Sequence, residues 1–187
     1  EKDVRMSIAG ADFKEKIEQI ATGISNFYSQ IAELTKKYHD DRIPVVAMGH
    51  FFVNNISEMS AEDRELYIGG LQQISIEQLP DSFDYWAMGH IHTPMKIGQK
   101  DHIRYSGSPI ALNFGETKHR KKVILVDFST DAKSIQEIEV PIFRHMLNLK
   151  GTFEEISKML SVFSERAPLK TWVSIMIIEE KIDPQIN

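Results

Sequence analysis

The 187-residue chain contains no cysteine. That excludes a disulfide framework and a thiolate zinc site, and it is compatible with a reducing compartment. Any metal would have to be held by His, Asp, Glu, Asn or water, a donor set suited to manganese, iron, zinc or magnesium rather than to soft ions. No apolar run approaches the roughly 20 residues that span a bilayer, and Glu1-Lys2-Asp3-Val4 lacks the apolar core of a secretion signal. The expectation is a soluble, cytoplasmic protein without membrane contact. Strong excess charge is missing too. A formal charge of -5 argues against a surface devoted to nonspecific nucleic-acid binding, while leaving room for a local basic cluster. There is no low-complexity tract and no domain-scale repeat.

What remains is an ordinary globular composition. Hydrophobic residues make up 42% and charged residues 26%, enough to fill the core of one domain, or of one domain with a small appendage. The stretch that organises the rest is Ala87-Met88-Gly89-His90-Ile91-His92, an apolar strand running into a turn before Thr93-Pro94. Residues i and i+2 of an extended segment share a face, so His90 and His92 can address one small volume. Neutral imidazole is the commonest protein metal ligand. A His-x-His pair alone is weak, but Val45-Val46-Ala47-Met48-Gly49-His50 repeats the tetrapeptide Ala-Met-Gly-His at the end of a second apolar run. Two buried strands that each deliver a histidine past a glycine suit an α/β sheet, whose ligands gather beyond the carboxyl ends of its strands.

Read in order, residues 4–10 form a short strand, and Asp12 with Glu15 makes a capping box that opens a long helix. Its expected buried stripe is Ile17, Ile20, Ile24, Phe27, Ile31, Leu34 and Tyr38, in alternating steps of three and four. Pro44 starts the strand that ends at His50. Ser75 and Gln78 form a second capping box, which Pro80 cuts short. Residues 95–99 and 101–105 form a hairpin turning at Gln99-Lys100-Asp101. Tyr105-Ser106-Gly107-Ser108-Pro109 is a glycine-containing loop of the kind that lets backbone N–H groups approach an anion, though alone it is more often a plain turn. Lys118-His119-Arg120-Lys121-Lys122 is the only concentrated basic run; such runs are usually solvated and sometimes meet nucleic-acid phosphates. Strands follow at 123–128 and 135–140. From Leu147 the pattern is strand, helix capped by Thr152 and Glu155, and strand through Trp172-Val173-Ser174-Ile175. His119 and His145 stand outside any ligand-like spacing and are read as structural or surface residues.

Gly49-His50, the segment from Asp84 to His92, and His102-Ile103-Arg104-Tyr105-Ser106-Gly107-Ser108-Pro109 followed by Phe114 and Gly115-Glu116 together resemble the DNA-repair nuclease subunits of the calcineurin-like metallophosphoesterases. Gly-His-x-His marks only the superfamily; the Arg-Tyr-Ser-Gly-Ser-Pro stretch narrows it to the nucleases. The resemblance runs over nearly the whole chain. It implies an α/β fold: the carboxyl-side half of a metallophosphoesterase β-sandwich flanked by helices over residues 1–147, then the start of a small α+β cap that contacts DNA over 148–187. It implies His50 and His90 as ligands of one metal and His92 of the other, in a site holding two divalent ions, manganese or else magnesium. It further implies phosphodiester hydrolysis at DNA ends and hairpins, a homodimer, and an ATPase partner of the structural-maintenance type. Weaker phosphate contacts are expected from Ser106, Gly107, Ser108, Lys118, Arg120, Lys121 and Lys122.

Members of that family also carry Asp-x-His, Gly-Asp and Gly-Asn-His blocks, and none occurs here. The expectation is therefore a carboxyl-side fragment holding half a metal site and inactive alone. Two alternatives stand beside it: a phosphodiesterase of the same superfamily acting on a small molecule, and a noncatalytic interaction module with structural histidines.

Overall fold

The apolar periodicity of the first forty residues produces one long helix, α1 (Phe13–Asp40), in a computed structural model that describes residues 13–40, 43–54, 73–129 and 133–178. The strand expected at 4–10, the Asp12 cap and most of the loop after Asn54 lie outside the described residues. The packed face of α1 differs from the expected stripe. Ile24 and Ile31 meet the core, but their companions are Tyr28 and Ala32, whereas Phe27, Leu34 and Tyr38 are 45%, 74% and 40% exposed. Small residues explain the rotation: alanine at 21 and 32 is buried and lets the helix approach closely. Tyr28 then fits between Trp86, at 4.8 Å between ring centroids, and the Met48 carbonyl, to which its hydroxyl donates at 2.5 Å.

The main sheet comprises β1 (Val46–His50), β4 (Tyr85–Gly89), β6 (Lys100–Tyr105) and β5 (Met95–Ile97), in the order β1-β4-β6-β5. The first three are parallel, and β5 returns antiparallel beside β6. Gly98 and Gln99, both at positive φ near 60°, make the turn of this hairpin. That is one residue earlier than the sequence pattern indicates, because a two-residue turn with both residues left-handed matches the twist of the strands. A short parallel pair, β2 (Phe52–Asn54) with β3 (Gln73–Ser75), lies next in the chain after β1, and Ser75 caps a turn of 3-10 helix with Gln78 as expected. Trp86, Tyr105, Ile74, Met88, Ile91, Ile97, Ile103 and Val53 are the most deeply buried large side chains.

Register decides what each copy of Ala-Met-Gly-His does. β1 and β4 pair with Met48 opposite Ala87, Gly49 opposite Met88, and His50 opposite Gly89, so the two tetrapeptides are staggered by one residue. A one-residue offset sends equivalent side chains to opposite faces. Met88 is accordingly 1% exposed and Met48 75%. The offset is pinned at the strand entrances, where the Val45 N–H donates to the Asp84 carboxylate at 2.7 Å and the Asp84 N–H to the Val45 carbonyl at 2.9 Å.

The described residues divide into two compact units, one within Glu1–Ser108 and Lys122–Ile138, the other within Pro109–Lys121 and Glu139–Asn187. The resemblance implies a division at 147/148. Within the first unit, β7 (Lys122–Asp127) pairs with β8 (Ser134–Glu139), and the buried Arg104 of β6 holds that pair by donating to Glu137 at 2.8 Å while its Nε meets the Asp101 carbonyl at 2.7 Å. In the second unit, β9 (Arg144–Gly151) and β10 (Leu169–Ile177) run parallel, joined through helix α2 (Phe153–Ser161). Thr152 and Glu155 cap α2 reciprocally, as their spacing predicts. Residues 109–121 belong with this unit, and the Val140 N–H donates to the Lys121 carbonyl at 2.9 Å.

The stagger separates two otherwise identical substitutions. Met88→Ala is expected to lower unfolding free energy by about 2–5 kcal/mol, as large-to-small core changes do. Met48→Ala should stay within about 0.5 kcal/mol. Urea denaturation of both variants measures the difference.

Candidate functional site

β1 and β4 end side by side, and their last residues carry the two histidines that come together. The His50 and His90 rings lie edge to face with centroids 5.5 Å apart. Two backbone features make this possible. Opposite His50 in the sheet stands Gly89, where an added Cβ would come within 2.9 Å of the His50 Nδ1, so only glycine leaves room for the ring. His90 leaves its strand at φ 101, a left-handed conformation that a non-glycine residue adopts at a cost on the order of 1–3 kcal/mol and that clusters at functional sites.

Electrostatics follow from this crowding. Burial first, then the neighbouring His50 and His92, push the His90 pKa below its ordinary value. His90 is thereby held neutral near pH 7, the form that offers a ring nitrogen to a metal. His92 is half-buried just beyond. Among the described residues, however, no three His, Asp or Glu side chains converge as a set of metal ligands, and the three imidazoles gain no carboxylate. Among the described residues the donor set fits part of a hard-ion site.

The Tyr105 to Pro109 loop serves the histidine turns. The Ser108 N–H donates to the His92 carbonyl at 3.1 Å and its hydroxyl reaches the same oxygen at 3.4 Å. The Ser106 N–H points to the Met88 carbonyl at 3.4 Å. Gly107, at φ 76, packs so closely that a Cβ would lie 2.8 Å from the Pro94 nitrogen and 2.9 Å from the His92 carbonyl oxygen. Two of the N–H groups that would cradle an anion are therefore already bonded internally. Ser106 itself is exposed.

The basic run is likewise drawn into ion pairs. Lys121 and Glu116, 9% and 11% exposed in their side chains, bond at 2.7 Å. Glu116 also accepts from the Leu112 N–H and the Asn113 amide, so its charge is well satisfied. Arg120 meets Glu139 at 2.9 Å and Lys122 meets Glu137 at 2.6 Å. Within the second unit, Lys118, Arg120 and Lys121 line a cavity of about 600 Å³ together with Val140, Phe143 and Trp172. Arg144 also lines it, with its guanidinium 4.5 Å over the Trp172 ring. His145 packs against Phe163 at 6.4 Å, a structural role consistent with its isolated position in the sequence.

Motif reading missed one residue that matters here. The Tyr105 hydroxyl is fully buried and bonds to the chain on both sides of the turn after His50. The only signal for it was its place inside the Arg-Tyr-Ser-Gly-Ser-Pro stretch.

Parallel strands that bring histidines to one sheet edge define an α/β protein with a histidine-bearing site, and by sequence the chain is similar to SbcD subunits of SbcCD nucleases and to a DNA double-strand break repair protein. The chain is 34% identical over 185 residues, 96% of its length, to the SbcD subunit of the nuclease SbcCD of Escherichia coli strain K12. It is 27% identical over 146 residues to the SbcD subunit of Bacillus subtilis strain 168, covering 77% of the chain and 37% of that protein. It is 34% identical over 113 residues to the DNA double-strand break repair protein Mre11 of Sulfurisphaera tokodaii, covering 54% of the chain and 29% of that protein. No family model matches. More narrowly, then, the chain is a relative of the SbcD subunit of SbcCD nucleases. It spans about half the length of the E. coli relative, 45%.

Because the folded-state pKa of His90 is depressed, the unfolded chain takes up that proton first as pH falls. The stability held by neutral His90 is complete above about pH 6.5 and declines below it until pH passes the folded-state pKa. His102, also lowered by burial and by Lys133 and Lys100, acts in the same direction. Urea midpoints should therefore drop between about pH 7.5 and pH 5.5, above the range where carboxylates titrate. In His90→Asn, whose side chain tolerates positive φ, the drop should be smaller; an unchanged drop would show that His90 does not sense the burial described.

Proposed function

We propose that the chain is part of an SbcD-type DNA-repair nuclease that hydrolyses phosphodiester bonds, as exonuclease and endonuclease, at DNA ends and hairpins. The observation that carries this reading is the meeting of His50 and His90 at the carboxyl edge of parallel β1 and β4, in a chain related over nearly its whole length to a nuclease subunit. On this reading His50, His90 and His92 contribute imidazoles to a centre for two divalent ions, manganese or magnesium, that clamp and polarise a phosphodiester. Carboxylates suit those ions better than imidazoles, and the described residues bring none to the three histidines. The Asp-x-His, Gly-Asp and Gly-Asn-His blocks of the family are absent from the sequence, and the chain is on that ground proposed to be inactive alone.

What these residues do themselves is more limited. Neutral His90 offers a lone pair without first losing a proton, and the room left by Gly89 keeps the His50 ring beside it. In the second unit, the exposed Lys118 and Arg120 and the cavity they line are proposed to meet DNA phosphates, with Lys121 in a supporting ion pair; in the first unit Lys122 is likewise paired with Glu137. Ser106, Gly107 and Ser108 are assigned mainly to holding the turn after His90, with the exposed Ser106 hydroxyl left to contact phosphate. The first unit is proposed as part of a metallophosphoesterase β-sandwich, and the region from residue 148 as the beginning of a DNA-contacting cap. An SbcC-type ATPase and a second copy of the full-length protein are the proposed partners, and the cytoplasm the proposed location. Among the described residues no helix is long and apolar enough to cross a membrane.

A DNA hairpin incubated with manganese tests this directly. The chain alone should leave it intact, and the chain mixed with the amino-terminal half of E. coli SbcD should cleave it. His90→Ala should reduce that cleavage by at least about a hundredfold, the scale on which losing a directly acting group registers. Cleavage by the chain alone would reveal ligands outside the three histidines. No cleavage by an associated pair would favour an interaction module.

A further inference from the structure

We propose that Tyr105 is a positioning residue for His50: its hydroxyl bridges the turn after β1 and so aims the His50 ring at His90. Tyr105 closes β6, which is separated from β1 by the whole of β4. From there its side chain reaches under the sheet edge to the β1–β2 turn, where the hydroxyl donates to the Phe51 carbonyl at 2.8 Å and accepts from the Val53 N–H at 2.9 Å. These two groups flank Phe52, the second residue after His50. Both are buried, as is the phenol, which is 0% exposed. Burial pushes the hydroxyl pKa up, so it stays protonated and keeps both bonds across the working pH range.

The arrangement goes beyond ordinary core packing because of what else the same segment holds. Three residues later, Ser108 bonds twice to the His92 carbonyl, and Gly107 packs against it. One strand end therefore fixes the chain after His50 and the chain at His92. His90, whose ring lies against that of His50, adopts a left-handed backbone. Groups that orient a ligand without touching the reacting atoms are often as necessary as the ligand itself. Here the hydroxyl acts on the ligand's backbone turn and not on the imidazole.

The inference rests on the reading of the three histidines as one site, and its test separates the two. Tyr105→Phe removes only the oxygen. Ile103→Val trims a neighbouring β6 side chain that is 1% exposed and makes no polar contact, so it controls for general loosening. In the full 187-residue chain without metal, the proton Overhauser contact between the His50 and His90 rings should fall severalfold in Tyr105→Phe and persist in Ile103→Val. Cobalt(II), followed by its visible absorption, should bind Tyr105→Phe about 10–100-fold more weakly than wild type. A folded Tyr105→Phe that keeps the ring contact at wild-type strength overturns the positioning role, even if His90→Ala abolishes cobalt binding. Loss of the contact in a protein whose wild type binds no cobalt leaves the positioning role standing and removes the metal site. If Tyr105→Phe is unfolded, the measurement is repeated in trimethylamine N-oxide, which favours the folded state. A chain still unfolded there shows a hydroxyl needed by the fold as a whole, and that outcome also overturns the proposal.

Discussion

The pairing of β1 with β4 is the constraint on which everything else depends. Its register, locked by the reciprocal bonds of Val45 and Asp84, decides that Met88 is buried and Met48 is not, and that His50 faces a glycine. A slip of one residue would reverse each of these at once. It would place Met48 in the core, and it would set the His50 ring against Met88 or His90 instead of the space left by Gly89. The site and the core are thus two readings of a single alignment. α1 reinforces that alignment through the bond from Tyr28 to the Met48 carbonyl, the last but one peptide before the histidine.

Much of this was legible in the sequence. The histidine at the end of each apolar run, the capping boxes at Ser75 and Thr152, and the strand, helix and strand of the second unit all carry local signals that structure follows directly. The meeting of His50 with His90 could be inferred from the repeated tetrapeptide. The stagger could not. Identical tetrapeptides suggest equivalent positions, and their offset arises from Val45 and Asp84, a contact between residues 39 apart that no local pattern encodes. The face of α1 was misplaced for a similar reason. Heptad spacing favours Phe27 and Leu34, whereas close approach favours Ala21 and Ala32, and periodicity cannot weigh size against hydrophobicity.

The loop and the basic run show where composition misleads. A glycine with two serines resembles an anion cradle until the partners of its N–H groups are known, and here Met88 and His92 take two of them. Five consecutive basic or histidine residues resemble a solvated patch, yet Lys121 is nearly buried against Glu116. Taking an ion pair out of water is worthwhile only when its remaining hydrogen-bonding capacity is met. Leu112 and Asn113 meet it, and the pair therefore acts as a structural joint within the second unit.

The backbone of His90 sets two demands on one position. At φ 101 the favoured occupants are glycine, then asparagine, neither of which carries an imidazole. Glycine there would relieve the backbone strain and give up the ring at the same time. Position 90 is thus a place where robustness and usefulness are traded against each other.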